Sequence, residues 1–147
     1  DSDEYTALRD TLAIDRRHAL NLTQVPCAKE FIDRLSSEGW CEPIVVSHRG
    51  GPAEDVAREW LFFQRIELPF RGVECRAPKS VAAEGLDVFV DDDARKLITM
   101  IGVVPHRYLF SQPYNEDQSL AGIDGRVKYW SELYWILRDL LERINKE

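Results

Sequence analysis

Residues 86–93, LDVFVDDD, decide the fold of this chain because a short apolar run ends there in three carboxylates, Asp91, Asp92 and Asp93. Apolar runs of this length with polar boundaries are typical of buried strands. Ligands lie beyond the carboxyl ends of strands in open α/β sheets, and crowded acids there repel one another unless a cation such as Mg²⁺ binds them or one acid turns away. The run therefore predicts a divalent-metal phosphate site or, alternatively, a strand followed by an acidic helix N-cap.

Helical and strand-like segments alternate along the rest of the chain. Amphipathic spacing predicts helices, β-branched apolar runs predict strands, and Gly39 is a plausible end for the first helix. The predicted helices cover residues 27–39, 54–63, 94–101 and 131–144, and the further strands cover residues 43–47, 71–75 and 107–110. This alternation predicts an α/β fold, namely a three-layer, Rossmann-like parallel sheet with helices on both faces.

Length and charge limit the possible functions. The 147 residues, of which 44% are hydrophobic, can bury one core, so we expect a single domain over residues 1–147, with an N-terminal segment 1–25 and a core 26–147. A net charge of -7 argues against binding a nucleic-acid polymer, which requires a basic face. No apolar run approaches the ~18 residues of a membrane span, so we expect no membrane contact.

The cysteines indicate the compartment. Cys27, Cys41 and Cys75 are odd in number and have no CxxC spacing, which favours neither a disulfide framework nor a zinc site. We therefore expect a reducing, cytoplasmic setting.

Polar residues at the ends of the predicted strands occur in a characteristic order. Ser47 ends one strand, Lys79 follows later, and Asp91 and Asp92 end the acidic strand. In this order they resemble the later motifs of the haloacid dehalogenase (HAD) superfamily of phosphohydrolases. Further matches, in order along residues 26–144, look like the 5'-nucleotidase and deoxyribonucleotidase branch: Ser47-His48-Arg49, Trp60-Leu61, Gln112-Pro113-Tyr114-Asn115, and Arg126-Val127 followed by Trp130.

The resemblance implies a phosphate pocket and a metal. The implied phosphate-binding residues are Ser47, His48, Arg49 and Lys79, the last also catalytic, and the implied Mg²⁺ ligands are Asp91 and Asp92. A hydroxyl and an ammonium hold phosphate oxygens, while Mg²⁺ offsets the charge that develops in phosphoryl transfer. A guanidinium also suits bidentate phosphate recognition. The implied activity is Mg²⁺-dependent hydrolysis of a small phosphorylated molecule such as a nucleotide.

The chain departs from the family at its first motif. HAD phosphatases begin with a strand ending in Asp-x-Asp, whose first Asp attacks phosphorus and whose second handles the proton. The nearest candidate is residues 11–18, TLAIDRRH, with Asp15 as the catalytic nucleophile and Arg17 in place of the second acid. Apolar residues between Tyr5 and Leu22 also follow helical spacing, which favours a helix here, resembling a cap remnant.

If that segment is helical, the nucleophile strand is missing. In this superfamily the strand lies centrally, and its loss leaves buried backbone groups unpaired at about 1–3 kcal/mol each. Three structures are then possible: residues 11–15 supply the strand in degraded form, another segment or chain fills the gap, or the remaining strands pair differently.

Three functional hypotheses follow from the departure at the first motif. The chain is an active phosphatase, or a non-catalytic descendant that binds a phosphorylated ligand or a protein partner. As a third hypothesis, it is a fragment whose first strand lies upstream of Asp1, since the chain does not begin with Met.

Overall fold

The computed structural model describes residues 15–74 and 77–146, apart from the side chain of His18. The chain divides into two compact units, one ending at Ala77 and one covering Pro78–Glu147. None of the helices in the described ranges has the length and apolar character that a membrane span requires. Cys27 and Cys41 are free thiols, and Cys75 lies outside the described residues. A single domain over residues 1–147 stays a prediction.

The first unit contains two parallel strands and three helices within its described residues. The helices are α1 (Arg16–Leu20), α2 (Ala28–Glu38) and α3 (Pro52–Phe63), and the strands are β1 (Val45–Ser47) and β2 (Phe70–Gly72). Val45 lies opposite Phe70, and Ser47 lies opposite Gly72. The helix α2 ends where Gly39 adopts the left-handed conformation (φ 72°) that glycine favours at a helix C-terminus.

Local sequence explains why α3 forms directly after β1. Pro52 occupies the first helical turn, where its missing N–H costs no intrahelical bond. Ala53, Val56 and Ala57 are buried along one side, which is the spacing of an amphipathic helix. At the far end, Trp60 Nε1 donates to the carbonyl oxygen of Leu22 at 2.8 Å, so the helix is also fixed to the chain preceding α2.

The second unit is built on a three-stranded parallel sheet. Its strands are β3 (Val88–Asp91), β4 (His106–Phe110) and β5 (Gly125–Val127), its helices are α4 (Ala94–Ile98) and α5 (Trp130–Ile144), and short 3-10 turns cover Lys79–Val81 and Pro113–Asn115. The central strand is β4, with Asp91 opposite Leu109 and Phe110 opposite Val127. Phe110, Val127 and Leu133 form a buried cluster between this sheet and α5. The parallel pairing brings the carboxyl ends of the strands to one edge.

The predicted α/β character with parallel strands is confirmed, with differences in detail. Within the described ranges the strands form two small sheets, in which β1 pairs with β2 alone and β3 pairs with β4 alone. The sequence did not predict β5, because a three-residue strand beginning with Gly125 lacks an apolar run. The predicted helix 94–101 ends at Ile98, and turns then lead through Gly102 at φ 80°.

Candidate functional site

Asp91 and Lys79 form a buried ion pair where β3 ends. Lys79 Nζ lies 2.6 Å from Asp91 Oδ2, and their side chains are 11% and 4% exposed. Asp91 Oδ1 accepts the backbone N–H of Asp93 at 3.0 Å, and Lys96 Nζ lies 4.0 Å from the same oxygen. The Asp91 carboxylate is therefore paired directly with Lys79, and the Lys96 ammonium adds a second positive charge at the limit of ion-pair distance.

The turn after Pro78 holds Lys79 in place. The backbone N–H groups of Ala82 and Ala83 donate to the Lys79 carbonyl oxygen at 3.0 and 3.1 Å, and Ala83 is fully buried. The Lys79 ammonium lies 5.9 Å from the centroid of the Phe89 ring, within the range of a cation–π interaction. Lys79 is thus held both at its backbone and at its ammonium group.

Asp92 has different surroundings from its neighbour. Its Oδ2 accepts a hydrogen bond from the Tyr114 hydroxyl, and its backbone carbonyl accepts Asn115 Nδ2 at 2.8 Å. Burial by itself would raise the pKa of Asp92, but hydrogen bonding with Tyr114 and with the Asp91 carboxyl, together with the positive charge of Lys96, contributes to a net lowering below the usual range. Asp92 is consequently ionised at neutral pH, and its negative charge suits a residue that coordinates a cation.

Asn115 fixes the loop that meets Asp92. The residue is fully buried, and its Nδ2 donates to the carbonyl oxygens of Asp92 and Phe110, both at 2.8 Å. Its Oδ1 accepts the Gln112 backbone N–H at 3.0 Å and Arg126 Nη1 at 3.1 Å. One amide therefore uses both donors and accepts two bonds while joining the ends of β3 and β4 and a side chain from β5.

Asp93 turns away from the other two acids. Its Oδ1 accepts the backbone N–H of Arg95 at 3.0 Å, which is an N-cap of α4, and its Oδ2 lies 3.0 Å from Arg95 Nη2. Gln118 Oε1 accepts the next N–H, that of Ala94, at 2.8 Å. The predicted alternative of an acidic helix N-cap after the strand is confirmed for Asp93.

The donor set decides how Mg²⁺ would fit. The described residues contain no group of three or more His, Cys, Asp or Glu side chains arranged for a metal. Mg²⁺, however, is usually bound through one or two carboxylates and keeps several waters. Asp92 fits this pattern as an ionised carboxylate with two oxygens, one of them bonded to Tyr114. Asp91, which compensates Lys79, fits better as that lysine's counter-ion; the assignment of both acids to the metal stays a prediction.

Ser47, His48 and Arg49 lie together in the first unit, with Ser47 at the end of β1 and the other two in the turn that follows it. Ser47 Oγ accepts the Arg49 backbone N–H at 3.2 Å, and its carbonyl oxygen accepts the Val73 N–H at 2.8 Å. His48 Nε2 donates to the Ala77 carbonyl oxygen at 3.0 Å. Ser47 ends a strand as predicted, and the phosphate-binding role of the three residues stays a prediction.

Asp15 lies at the start of a helix. Its Oδ1 accepts the backbone N–H of Arg17 at 3.0 Å, and its carbonyl oxygen accepts that of Ala19 at 2.9 Å. The helical interpretation of this segment therefore holds for α1, whereas residues 11–14, where the alternative strand was predicted, lie outside the described residues. Its assignment as nucleophile stays a prediction.

Lys96 and Gln118 were not predicted from the sequence. Lys96 follows Asp91 by five residues and lies in the first helical turn after the capping residue. Its position in the sequence, soon after a strand-terminal acid, could have indicated that its charge lies near Asp91. Gln118 bonds to a backbone group 24 residues away, and no local pattern indicates such a contact. Asn115 belongs to the Gln112-Pro113-Tyr114-Asn115 match with the nucleotidase branch, but Pro-Tyr-Asn is also an ordinary turn and does not indicate burial.

No protein-family model and no curated protein matches this chain.

Proposed function

We propose that the second unit carries the metal-binding and phosphate-binding side of an Mg²⁺-dependent phosphomonoester hydrolase of the HAD type. The substrate would be a small phosphorylated molecule such as a nucleotide, and a three-layer HAD-like sheet is part of the proposal. The observation that carries it is the Lys79–Asp91 pair beside Asp92 at the carboxyl end of a parallel strand.

Each charged group has a separate task in this proposal. Lys79, held by Asp91, presents its ammonium to a phosphate oxygen, and Lys96 adds a second positive charge close by. Asp92 would hold the metal, with Asp91 as the second candidate ligand. Mg²⁺, when bound, offsets the negative charge that develops on the transferred phosphoryl group. The two lysine charges beside the Asp92 carboxylate suit an anionic ligand that is bound together with a cation.

The catalytic form of the proposal requires a nucleophile. Asp15 is the candidate nucleophile. Its carboxylate would displace the alcohol from phosphorus to form an aspartyl-phosphate that water then hydrolyses. Asp15→Asn should then abolish turnover and leave folding intact. The residue caps α1 by accepting the Arg17 N–H, a contact that an asparagine side chain also supports.

A second candidate function is a non-catalytic domain that binds a phosphorylated ligand or a protein partner through the same acids and lysines. The position of Asp15 at a helix start, with Arg17 in place of a second acid, favours this candidate.

The test is phosphate release with and without Mg²⁺ from a panel of nucleoside monophosphates and a generic aryl phosphate. Wild type is compared with Asp15→Asn, Lys79→Gln and Asp92→Asn, and with Lys128→Gln as an exposed-lysine control. Turnover lost in the first three variants and kept in the control supports the hydrolase. A folded wild type without turnover excludes it for this chain and leaves the binding domain, whereas turnover that survives Lys79→Gln and Asp92→Asn contradicts both assignments.

A further inference from the structure

Tyr114 combines an exposed ring with a hydroxyl that is engaged by the site. The residue is 69% exposed, yet its hydroxyl donates to Asp92 Oδ2 rather than being left to water. The hydroxyl therefore acts toward Asp92 as a hydrogen-bond donor.

The backbone that carries Tyr114 is fixed from beneath. Tyr114 is the middle residue of the 3-10 turn Pro113–Asn115, in which Pro113 restricts φ and the side chains of Gln112 and Asn115 each accept a backbone N–H of the other. Arg126 Nη2 also donates to the Asn115 carbonyl oxygen at 3.2 Å. The buried end of the turn thus sets the position of the hydroxyl, although the ring lies in solvent.

A carboxylate with one fixed oxygen is a better ligand than a freely rotating one. The terminal torsion of an aspartate is broad, so without a second contact its oxygens exchange places easily. In metal sites, hydrogen bonds from outside the coordination shell orient the ligands, and removing such a partner typically weakens metal affinity about 10–100-fold. The Tyr114 hydroxyl occupies this type of position relative to Asp92 Oδ2.

We propose that Tyr114 is a positioning residue for Asp92, holding Oδ2 so that the other oxygen, Oδ1, is presented to a divalent cation. The inference rests on the proposed function, because it takes Asp92 as the Mg²⁺ ligand. It adds that the loop following β4 controls the affinity of that ligand for the metal. The opposite role is a latch, in which the phenol competes with the cation for Asp92 and its removal strengthens binding.

Mg²⁺ affinity, measured by calorimetry without any substrate, separates the two roles. Tyr114→Phe removes only the hydroxyl, and Tyr129→Phe is the matched control because Tyr129 is also exposed, at 61%, but outside the Asp92 site. The dissociation constant should rise about 10–100-fold in Tyr114→Phe and stay within about twofold in Tyr129→Phe. The melting temperature without Mg²⁺ should stay close to that of wild type for both variants, since each substitution keeps an exposed ring in place. An unchanged or lower dissociation constant in Tyr114→Phe overturns the inference.

Asp92→Asn separates failure of this inference from failure of the proposed function. If wild type binds Mg²⁺, Asp92→Asn does not, and Tyr114→Phe binds as wild type does, the metal site stands and the role of Tyr114 is wrong. If Asp92→Asn binds Mg²⁺ as well as wild type does, or wild type does not bind it, the proposed metal site fails and the role of Tyr114 fails with it.

Discussion

Lys79 and Asp91 face each other at the carboxyl end of β3 with 2.6 Å between Nζ and Oδ2, and both side chains are almost fully withdrawn from solvent. A buried pair of this kind differs from an ion pair at the surface. Its two charges compensate each other only while both are present, and removing one leaves the other uncompensated in a poorly solvated place. The pair therefore connects the turn after Pro78 to the sheet, and it orients Lys79, the candidate phosphate-binding residue.

Asp91→Asn should lower the free energy of unfolding by about 3 kcal/mol, because Lys79 would stay buried without its counter-charge. Urea denaturation measures this loss. The control is Arg143→Gln, which removes an exposed pair with Asp139 on α5 and should leave the urea midpoint where it is. Equal losses in the two variants would mean that burial gives the Lys79–Asp91 pair no special weight.

Asn115→Ala should cost about 3 kcal/mol of stability. Its replacement removes the donor from the carbonyl oxygens of Asp92 and Phe110, and an unsatisfied buried group costs about 1–3 kcal/mol. Chemical denaturation of this variant is compared with that of Asn145→Ala, at an exposed position at the end of α5. If Asn115 stabilises the fold through its buried hydrogen bonds, Asn115→Ala should lose much more unfolding free energy than Asn145→Ala. Similar losses in the two variants would argue against that role.

Gly50→Ala should destabilise the turn that carries Ser47, His48 and Arg49, by about 1–3 kcal/mol. A Cβ atom at this position would lie 2.7 Å from the carbonyl carbon of Val73, which is backbone and has little freedom to move aside. Gly125→Ala is the matched control, since a Cβ there would meet only the Tyr108 ring at an ordinary 3.5 Å. Thermal or urea unfolding of both variants checks the prediction, and a control that loses as much stability would refute the steric explanation.

Asp93 should make stability depend on acidic pH. Burial raises its pKa, but the hydrogen bonds from the Arg95 side chain and backbone outweigh this, so that its pKa in the folded state is lowered. A carboxyl with a lowered folded pKa contributes stability above its unfolded pKa of about 3.9, and this contribution is lost as pH falls through the folded pKa. Wild type should therefore lose more stability than Asp93→Asn between neutral pH and about pH 3.

The same position separates the charge of Asp93 from its capping role. Asp93→Asn keeps a good N-cap and should change stability little at low pH, whereas Asp93→Ala should cost about 0.5–2 kcal/mol. Urea unfolding of the three proteins at each pH gives these values. Parallel pH dependences in wild type and Asp93→Asn would show that the Asp93 carboxyl is not linked to folding.

Local chemistry is what could be predicted from the sequence. An apolar run with strand-terminal acids predicted β3, helical spacing ending at Gly39 predicted α2, and the helix-capping tendency of Asp predicted the role of Asp93. Each of these features depends on residues within about one turn or one strand of each other, and the sequence displays such residues directly.

Contacts between distant segments could not be predicted in the same way. The strand β5 is defined by its pairing with β4 rather than by its own composition, and Asn115 bonds to Asp92 across 23 residues. The different surroundings of Asp91 and Asp92, by contrast, could have been predicted from the sequence. Successive residues leaving a strand tend to point to opposite sides, so two adjacent acids are poorly placed to have identical partners.

The central claim is that Asp92 and Lys79 bind a cation and a phosphate together. Its most direct test is calorimetry of inorganic phosphate binding with and without Mg²⁺, in wild type, Asp92→Asn, Lys79→Gln and the exposed-acid control Asp117→Asn. Phosphate should bind about 10-fold more tightly with Mg²⁺ in wild type and in the control, which is a typical coupling between two ligands of one protein. Asp92→Asn should lose that enhancement, and Lys79→Gln should weaken phosphate binding in either condition. Phosphate binding that is absent from folded wild type, or that is unaffected by both substitutions, would contradict the account.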